Sequence, residues 1–353
     1  MHPDNHFAAE AREILRRMGP RLLLLAHHYQ RPEIVALAHR VGDSLELSRY
    51  AAEATQAEFI VFAGVRFMAE AASVLAAPHQ RVFMPDPSAG CPMADMASEA
   101  QVEHALTHLA SVLGEDPDRC ILPLAYMNTS AAVKAVTGRH GGAICTSSNA
   151  DGAMRWALGQ RNKVLFLPDE HLGHNTALSL GIRPDELALY DPTALAGGLT
   201  DEEVRRARVF LWKGYCHVHA AFQPSHVEEA RRTIPAARIL VHPECRSSVV
   251  LRSDAAGSTS FLVRACTEAK ASETLIIGTE INLVERMQAE HPHLVVRPLA
   301  RSSCHDMDRT TLEKVTLLLR AIEANAPLEP ITVPADVRAF ARDALAKMLA
   351  FSS

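Results

Sequence analysis

Three times in this sequence a short aliphatic run breaks at prolines or small residues, and a cysteine follows. Val82-Phe83-Met84 leads through Pro85 and Pro87 to Gly90-Cys91-Pro92. Val209-Phe210-Leu211-Trp212 leads to Gly214-Tyr215-Cys216, and Leu294-Val295-Val296 leads through Pro298 to Ser302-Ser303-Cys304. Aliphatic runs of this length, closed by Pro or Gly, read as buried strands leaving their sheets. In open α/β sheets, residues just past the strand ends are the ones that meet ligands. Three strand ends, each delivering one cysteine, therefore ask for a fold that turns three strand ends toward one place.

The rest of the chain supplies such a frame. Strands are expected at 22–26, 59–63, 82–84, 121–125, 142–145, 164–167, 209–212, 238–241, 275–278 and 294–296, with helical patterns between most of them, including 8–18, 32–41, 99–113, 226–233 and 335–349. Alternating strands and helices imply parallel sheets covered on both faces. The layout repeats at domain-sized intervals. Each repeat opens with a strand carrying two polar side chains spaced by two, so that both point to one side: His27 and Tyr29, then Tyr126 and Asn128, then His242 and Glu244. Each closes with a strand and a cysteine. The expected fold class is α/β, with three similar three-layer α/β/α domains whose strand ends surround a central pocket. The boundaries are 1–98 (Cys91), 99–219 (Cys216) and 220–304 (Cys304). Helices over 305–353, broken at Pro327, Pro330 and Pro334, are expected to pack back on the first domain.

Composition narrows the function classes. A net charge of −5 offers no basic face for nucleic acid. No apolar run is long enough to span a membrane, and no cationic stretch with an apolar core opens the chain, so no signal peptide is expected and the cytoplasm is the expected compartment. The seven cysteines are odd in number and widely scattered, which does not suit a disulfide framework. No C-x-x-C pair occurs, so zinc-ribbon and ferredoxin spacings are absent. On spacing alone, buried free thiols are the plainer reading. As metal ligands, three thiolates would leave one iron of a four-iron cluster open to act as a Lewis acid; zinc would need a fourth ligand such as His219 or His305.

Other motifs carry chemistry with an ordinary reading beside it. His27-His28-Tyr29-Gln30 suits proton transfer and carboxylate binding, or is a polar loop. Gly42-Asp43-Ser44 and Thr146-Ser147-Ser148-Asn149 are hydroxyl-bearing turns that either bind phosphate or carboxylate or simply cap helices. In His242-Pro243-Glu244-Cys245 the proline fixes the turn and holds Glu244 as a candidate general base. Cys120, Cys145, Cys245 and Cys266 are expected to be apolar fillers.

Taken together, the motifs resemble the quinolinate synthase A family of de novo NAD biosynthesis. The resemblance runs from about residue 22 to 318: A-H-x-Y-Q at 26–30, G-D-S-L at 42–45, G-V-x-F-M-A-E at 64–70, G-C-P-M-A-D at 90–95, C-T-S-x-N-A at 145–150, L-P-D-x-x-L-G-x-N at 167–175, G-x-C-x-V-H at 214–219, H-P-E-C at 242–245, G-S-T at 257–259 and G-T-E at 278–280. It implies three α/β/α domains around a pseudo-threefold axis and a [4Fe-4S] cluster on Cys91, Cys216 and Cys304. It also implies catalytic roles for Glu244, Tyr29 and His219, with Tyr29 an acid or base whose pKa is lowered near the cluster. Substrate-binding roles fall to His27, Ser44, Tyr126, Asn128, Ser147, His242, Ser258 and Thr259. The implied reaction condenses iminoaspartate with dihydroxyacetone phosphate, releasing phosphate and two waters. A transient contact with L-aspartate oxidase, as source of the imine, is the further partner. Some members carry C-x-x-C-x-x-C at the third cysteine; here only Cys304 is present, so a local disulfide switch is impossible. The rival readings are an iron–sulfur hydro-lyase acting on a hydroxy acid and a non-enzymatic iron–sulfur sensor. The many pocket acids and hydroxyls speak against the sensor.

Overall fold

A computed structural model describes residues 3–351 of the chain. It contains three wholly parallel sheets. The first holds β1 (Leu22–His27), β2 (Arg40–Gly42), β3 (Phe59–Ala63) and β4 (Arg81–Phe83), in the order β2-β1-β3-β4. The second holds β5 (Ile121–Tyr126), β6 (Ala143–Cys145), β7 (Lys163–Leu167), β8 (Leu187–Tyr190) and β9 (Val209–Trp212), ordered β6-β5-β7-β9-β8. The third holds β10 (Arg238–Val241), β11 (Ala255–Ala256), β12 (Thr274–Gly278) and β13 (Val295–Pro298), ordered β11-β10-β12-β13. Apart from the added edge strand β8, one strand order occurs three times. In each sheet the order reverses beside the opening strand, between β1 and β3, β5 and β7, or β10 and β12. That reversal leaves a crevice at the strand ends where doubly wound sheets bind ligands.

The strand sequences are near-continuous apolar runs because both sheet faces are covered. Every residue of β3 and β5 is buried. Alternation still sorts the side chains by face. Leu22, Leu24 and Val61 pack with Ile14 and Leu319 from the helices Pro3–Met18 and Leu312–Glu323, whereas Leu25, Ile60 and Phe62 join the core on the other side. The helices start where the sequence supplies caps. Asp43 accepts from the amides of Leu45 and Glu46 while Glu46 reaches back to the Asp43 amide, and Ser98 and Gln101 do the same for Glu99–Leu113.

Three strands lie outside the sequence expectation. The helix expected over 32–41 covers only Pro32–Val35, and the chain returns as β2, pairing Leu25 with Arg40 and His27 with Gly42. β2, β8 and β11 are edge strands, and two of them are three residues or fewer, too short for a periodic signal. The segment after Cys304 divides between two sheets. Helix Leu312–Glu323 lies against Pro3–Met18, while Ala335–Ala350 packs on Ala131–Arg139 and β6 and touches Arg66–Leu75. The approach of Ala335–Ala350 depends on Gly138, where a Cβ would collide with the Phe340 carbonyl. No helix among the described residues is long and apolar enough to cross a membrane.

Candidate active site

The strand ends of all three sheets line one narrow cavity of about 70 Å³. Sheet one contributes His27, Tyr29, Asp43 and Ser44; sheet two contributes Tyr126, Asn128 and Ser147; sheet three contributes His242, Glu244 and Thr259. Local geometry repeats between sheets. The Tyr29 amide donates to His27 Nδ1 at 3.2 Å, and the Glu244 amide donates to His242 Nδ1 at 3.3 Å. The spacing of two is therefore a small turn, closed by the first residue of each pair.

At the centre is a chain of buried polar groups. His219 Nδ1 donates to Glu244 Oε2 at 2.6 Å, and the Tyr126 hydroxyl also bonds Glu244. His219 Nε2 lies 3.1 Å from Thr279 Oγ1, which is 2.7 Å from the Tyr29 hydroxyl; Tyr29 and His219 are 3.3 Å apart directly. The His219 and His242 rings stack with centroids 4.2 Å apart. Burial alone would push the Glu244 carboxyl up, but the adjacent His219 and His242 and the bonds from His219 and Tyr126 outweigh it and hold the group below the usual carboxylate range. Burial, and then the Glu244 charge, push the Tyr126 phenol well up. Tyr29 is also pushed well up, by burial first and also by Glu244, although the bond to Thr279 works the other way. The lowered value expected for Tyr29 from the sequence belongs to the ring beside a bound cluster, whereas this direction is that of the chain's own groups. The cause is burial beside a carboxylate. Burial also lowers His27 to about 4 and His242 to about 3, so both are neutral imidazoles at neutral pH.

Burial separates the cysteines into two groups. Cys91, Cys216 and Cys304 are half-buried and line the cavity; Cys120, Cys145, Cys245 and Cys266 are fully buried. Each of the three opens a short helical turn whose amides point at its sulfur: Ala94 and Met93 for Cys91, His219 for Cys216, and Met307 and Asp306 for Cys304. Burial pushes Cys91 up to about 12 and Cys304 to about 11, and Cys216 well up. Without a metal these thiols would stay protonated. Among the described residues lining the cavity there is no Lys or Arg to compensate thiolates or an anionic ligand. Three soft donors with amides aimed at sulfur fit an iron–sulfur group, whose irons would supply the missing positive charge. Cys216, His219 and Glu244 also bring ligand atoms within 4.8 Å of one another. In that set, His219 Nδ1 and Glu244 are already joined to each other.

The cavity takes in every sequence-proposed site residue except Ser258, whose hydroxyl accepts from the Phe261 amide and caps Thr259–Glu268. Asn128 Oδ1 is buried without a protein partner, as a group awaiting a ligand would be. His305 is exposed and absent from the cavity wall. The turn at Asp43 is both a cap and more: Asp43 Oδ2 accepts from Ser148 at 2.5 Å and from Ser260 at 3.0 Å, joining the three units at the cavity rim. Sequence reading missed three residues. Asp169, fully buried, caps Glu170–Ser179 through Oδ1; burial and then Glu244 raise its carboxyl, and Oδ2 has no partner. Asn175 Nδ2 donates to the carbonyls of Pro243 and Cys245, both at 2.8 Å, and so clamps the turn that carries Glu244. Thr279 lies behind the wall. Asp169 and Asn175 sit in L-P-D-x-x-L-G-x-N and Thr279 in G-T-E. The motifs held them, but no chemical pattern singled them out.

A family model described as NadA: Quinolinate synthetase A protein matches residues 11–350. The quinolinate synthase of Nocardioides sp. is 44% identical, covering 98% of this chain and 90% of its own length. That of Geobacillus kaustophilus is 44% identical over 98% and 93%, and that of Streptomyces coelicolor 42% over 98% and 89%. With one continuous match over almost all of its length, and relatives this similar across both chains, the chain belongs to the quinolinate synthetase A family.

Proposed function

We propose that this chain is a quinolinate synthase, condensing iminoaspartate with dihydroxyacetone phosphate to give quinolinate, phosphate and two waters. One observation carries the reading: a single cavity is lined both by three half-buried thiols, one from each unit, and by Glu244 paired with His219 at 2.6 Å. Cys91, Cys216 and Cys304 would hold a [4Fe-4S] cluster. When bound, such a cluster supplies an iron without a protein ligand, a Lewis acid toward a substrate oxygen. L-aspartate oxidase, in the cytoplasm, would supply the imine.

The remaining work falls to the chain's own groups. The hydroxyls of Ser44, Ser147 and Thr259, the carboxamide of Asn128 and the neutral imidazoles of His27 and His242 suit the two carboxylates and the phosphate. Ring formation makes one C–C and one C–N bond, and each water lost needs a proton taken from carbon or nitrogen and one given to the departing hydroxyl. Glu244, ionised, accepts protons; His219 beside it stores them; Tyr126, held neutral, donates. The wall is mostly apolar, with Val65, Phe67, Met68, Met93 and Met307, which keeps water from an imine that hydrolyses readily. The test is anaerobic protein with about four irons per chain, given both substrates. Equal amounts of quinolinate and phosphate are expected. Release of water from a hydroxy acid, with no phosphate formed, would favour a hydro-lyase instead.

A further inference from the structure

We propose, resting on the synthase reading, that Glu70, Asn175 and Asn282 form a ring of positioning residues. Each reaches out of its own sheet and fixes the turn that presents the next sheet's site residues to the cavity.

β3, β7 and β12 take the same place in the three strand orders, each beside its opening strand. Each is followed by a helix of ten residues: Arg66–Leu75, Glu170–Ser179 and Ile281–Glu290. From the first helix, Glu70 Oε2 accepts from the Ala131 amide at 2.9 Å, at the end of the loop that carries Asn128. From the second, Asn175 donates to the Pro243 and Cys245 carbonyls on either side of Glu244. From the third, Asn282 Nδ2 donates to the Tyr29 carbonyl at 3.2 Å. The first sheet thus holds the second, the second holds the third, and the third holds the first. None of the three side chains lines the cavity, so each acts on a ligand only through the residue it positions.

The backbone groups they hold have little else to bond. The Ala131 amide is the first of its helix, where no carbonyl one turn back is available. Lys134, from that same helix, holds the Met127 carbonyl at 2.7 Å and fixes the start of the loop, while Glu70 fixes its end. Because each bond of the ring crosses between sheets, a site residue is set only where its own sheet and the neighbouring one are docked. A displacement of about 1 Å at a reacting centre can cost about 100-fold in rate, so a cavity shared by three sheets needs such ties.

The test is a set of double-mutant cycles on the iron-loaded enzyme, read as kcat/KM for quinolinate, with iron per chain and a thermal melt as controls. Glu70→Met and Asn282→Ala remove two members of the ring; Asn128→Ala and Tyr29→Phe remove groups they position. Each ring variant alone should lose about 10-fold or more. Glu70→Met with Asn128→Ala, and Asn282→Ala with Tyr29→Phe, should fall short of the product of the single losses by about fivefold or more, since positioning an absent group has no effect. The crossed pairs should multiply within about twofold. Glu70→Gln keeps an oxygen for the Ala131 amide while losing the charge that faces Arg66 at 3.1 Å, and should stay within about threefold of wild type. Independent losses in the matched pairs, or equal coupling in matched and crossed pairs, would overturn the ring. So would a Glu70→Gln enzyme as slow as Glu70→Met.

Amide hydrogen exchange reads the same order without turnover. Glu70→Met should speed exchange over 127–131 by about 10-fold or more and leave 28–30 unchanged, and Asn282→Ala should do the reverse. Exchange that rises throughout the chain would mean general loosening and would overturn the proposal. If Glu70→Met loads no iron, the Asn282→Ala cycles and their exchange pattern decide. If wild-type protein forms no quinolinate, the synthase reading fails on its own, and the exchange pattern still decides whether the ring exists.

Discussion

Replacing Glu244 by Gln isolates the charge of the buried pair from its shape. Glu244 accepts from His219 Nδ1 and from the Tyr126 hydroxyl. In the variant the amide can satisfy both. An imidazole N–H can only donate, so the glutamine oxygen must face His219, and its NH₂ then donates to the phenol oxygen of Tyr126. Fold and cavity should survive. What disappears is the negative charge that stabilises an imidazolium once His219 takes up a proton. Charge-assisted hydrogen bonds are worth about twice neutral ones, a difference of about 1–2 kcal/mol. Loss of Glu244 as a direct proton acceptor adds to this, so about 2.7 kcal/mol, or about 100-fold in kcat, is the expected minimum. The assay is quinolinate and phosphate under anaerobic conditions, with iron per chain and a thermal melt as controls. A second readout is optical. The Glu244 charge is one of the causes that raise Tyr126, after burial, so its phenol should titrate lower in the variant. Activity within about fivefold of wild type, at full iron content, would refute the acid–base role, for which about 100-fold is the lower end.

Three further outcomes follow from the same geometry. Single Ala variants of Cys91, Cys216 and Cys304 should lose iron and activity together, while Cys245→Ser should keep its iron; a chain that loses iron only in Cys245→Ser would reverse the assignment. Asn175→Ala leaves the Pro243 and Cys245 carbonyls without their shared donor, so it should cost about 1–2 kcal/mol of stability and lower kcat while iron content stays intact; an unchanged kcat would deny the clamp. Buried His27 and His242 sit below the ordinary histidine value, so the unfolded chain takes up protons first. Stability of metal-free protein should therefore fall as pH drops below about 6.5 toward their folded values, each ring adding up to about 1.4 kcal/mol per pH unit. Urea midpoints that stay flat between pH 7 and 5 would contradict this.

The sequence was readable wherever a feature is local. Leu22-Leu23-Leu24-Leu25 and Phe59-Ile60-Val61-Phe62 announce central strands because both faces are buried, and the paired polar residues at the ends of β1, β5 and β10 fall on the cavity, although His27 and Tyr29, and His242 and Glu244, do so through a small turn and not along extended chain. β2 and β11 could not be read, since three- and two-residue edges gain their hydrogen bonds from a neighbour and not from their own pattern. Ser258, read through its motif as a ligand group, accepts from the Phe261 amide at the start of its own helix, a cap that no pattern set apart from a ligand contact. Thr279 and Asp169 matter through partners more than a hundred residues away or through Glu244, and no local chemistry distinguishes them from ordinary caps. The direction of the Tyr29 shift depends on how deeply the ring is covered, which only packing decides.

The helix Ala335–Ala350 has a consequence for the order in which a growing chain becomes competent. It lies on Ala131–Arg139 and β6, so close that Gly138 admits no side chain, and the Met348 carbonyl takes a hydrogen bond from Asn149. Asn149 in turn accepts the Thr146 amide at 2.7 Å and shapes the loop that presents Ser147 to the cavity. On a ribosome, the second sheet is complete when residue 212 has emerged, yet one of its flanks and its substrate loop wait for residues near 350. Cys304 leaves the ribosome before that flank is covered. The three thiols can therefore be together, and open to whatever delivers iron and sulfide, while the wall that will confine the substrate is still unfinished.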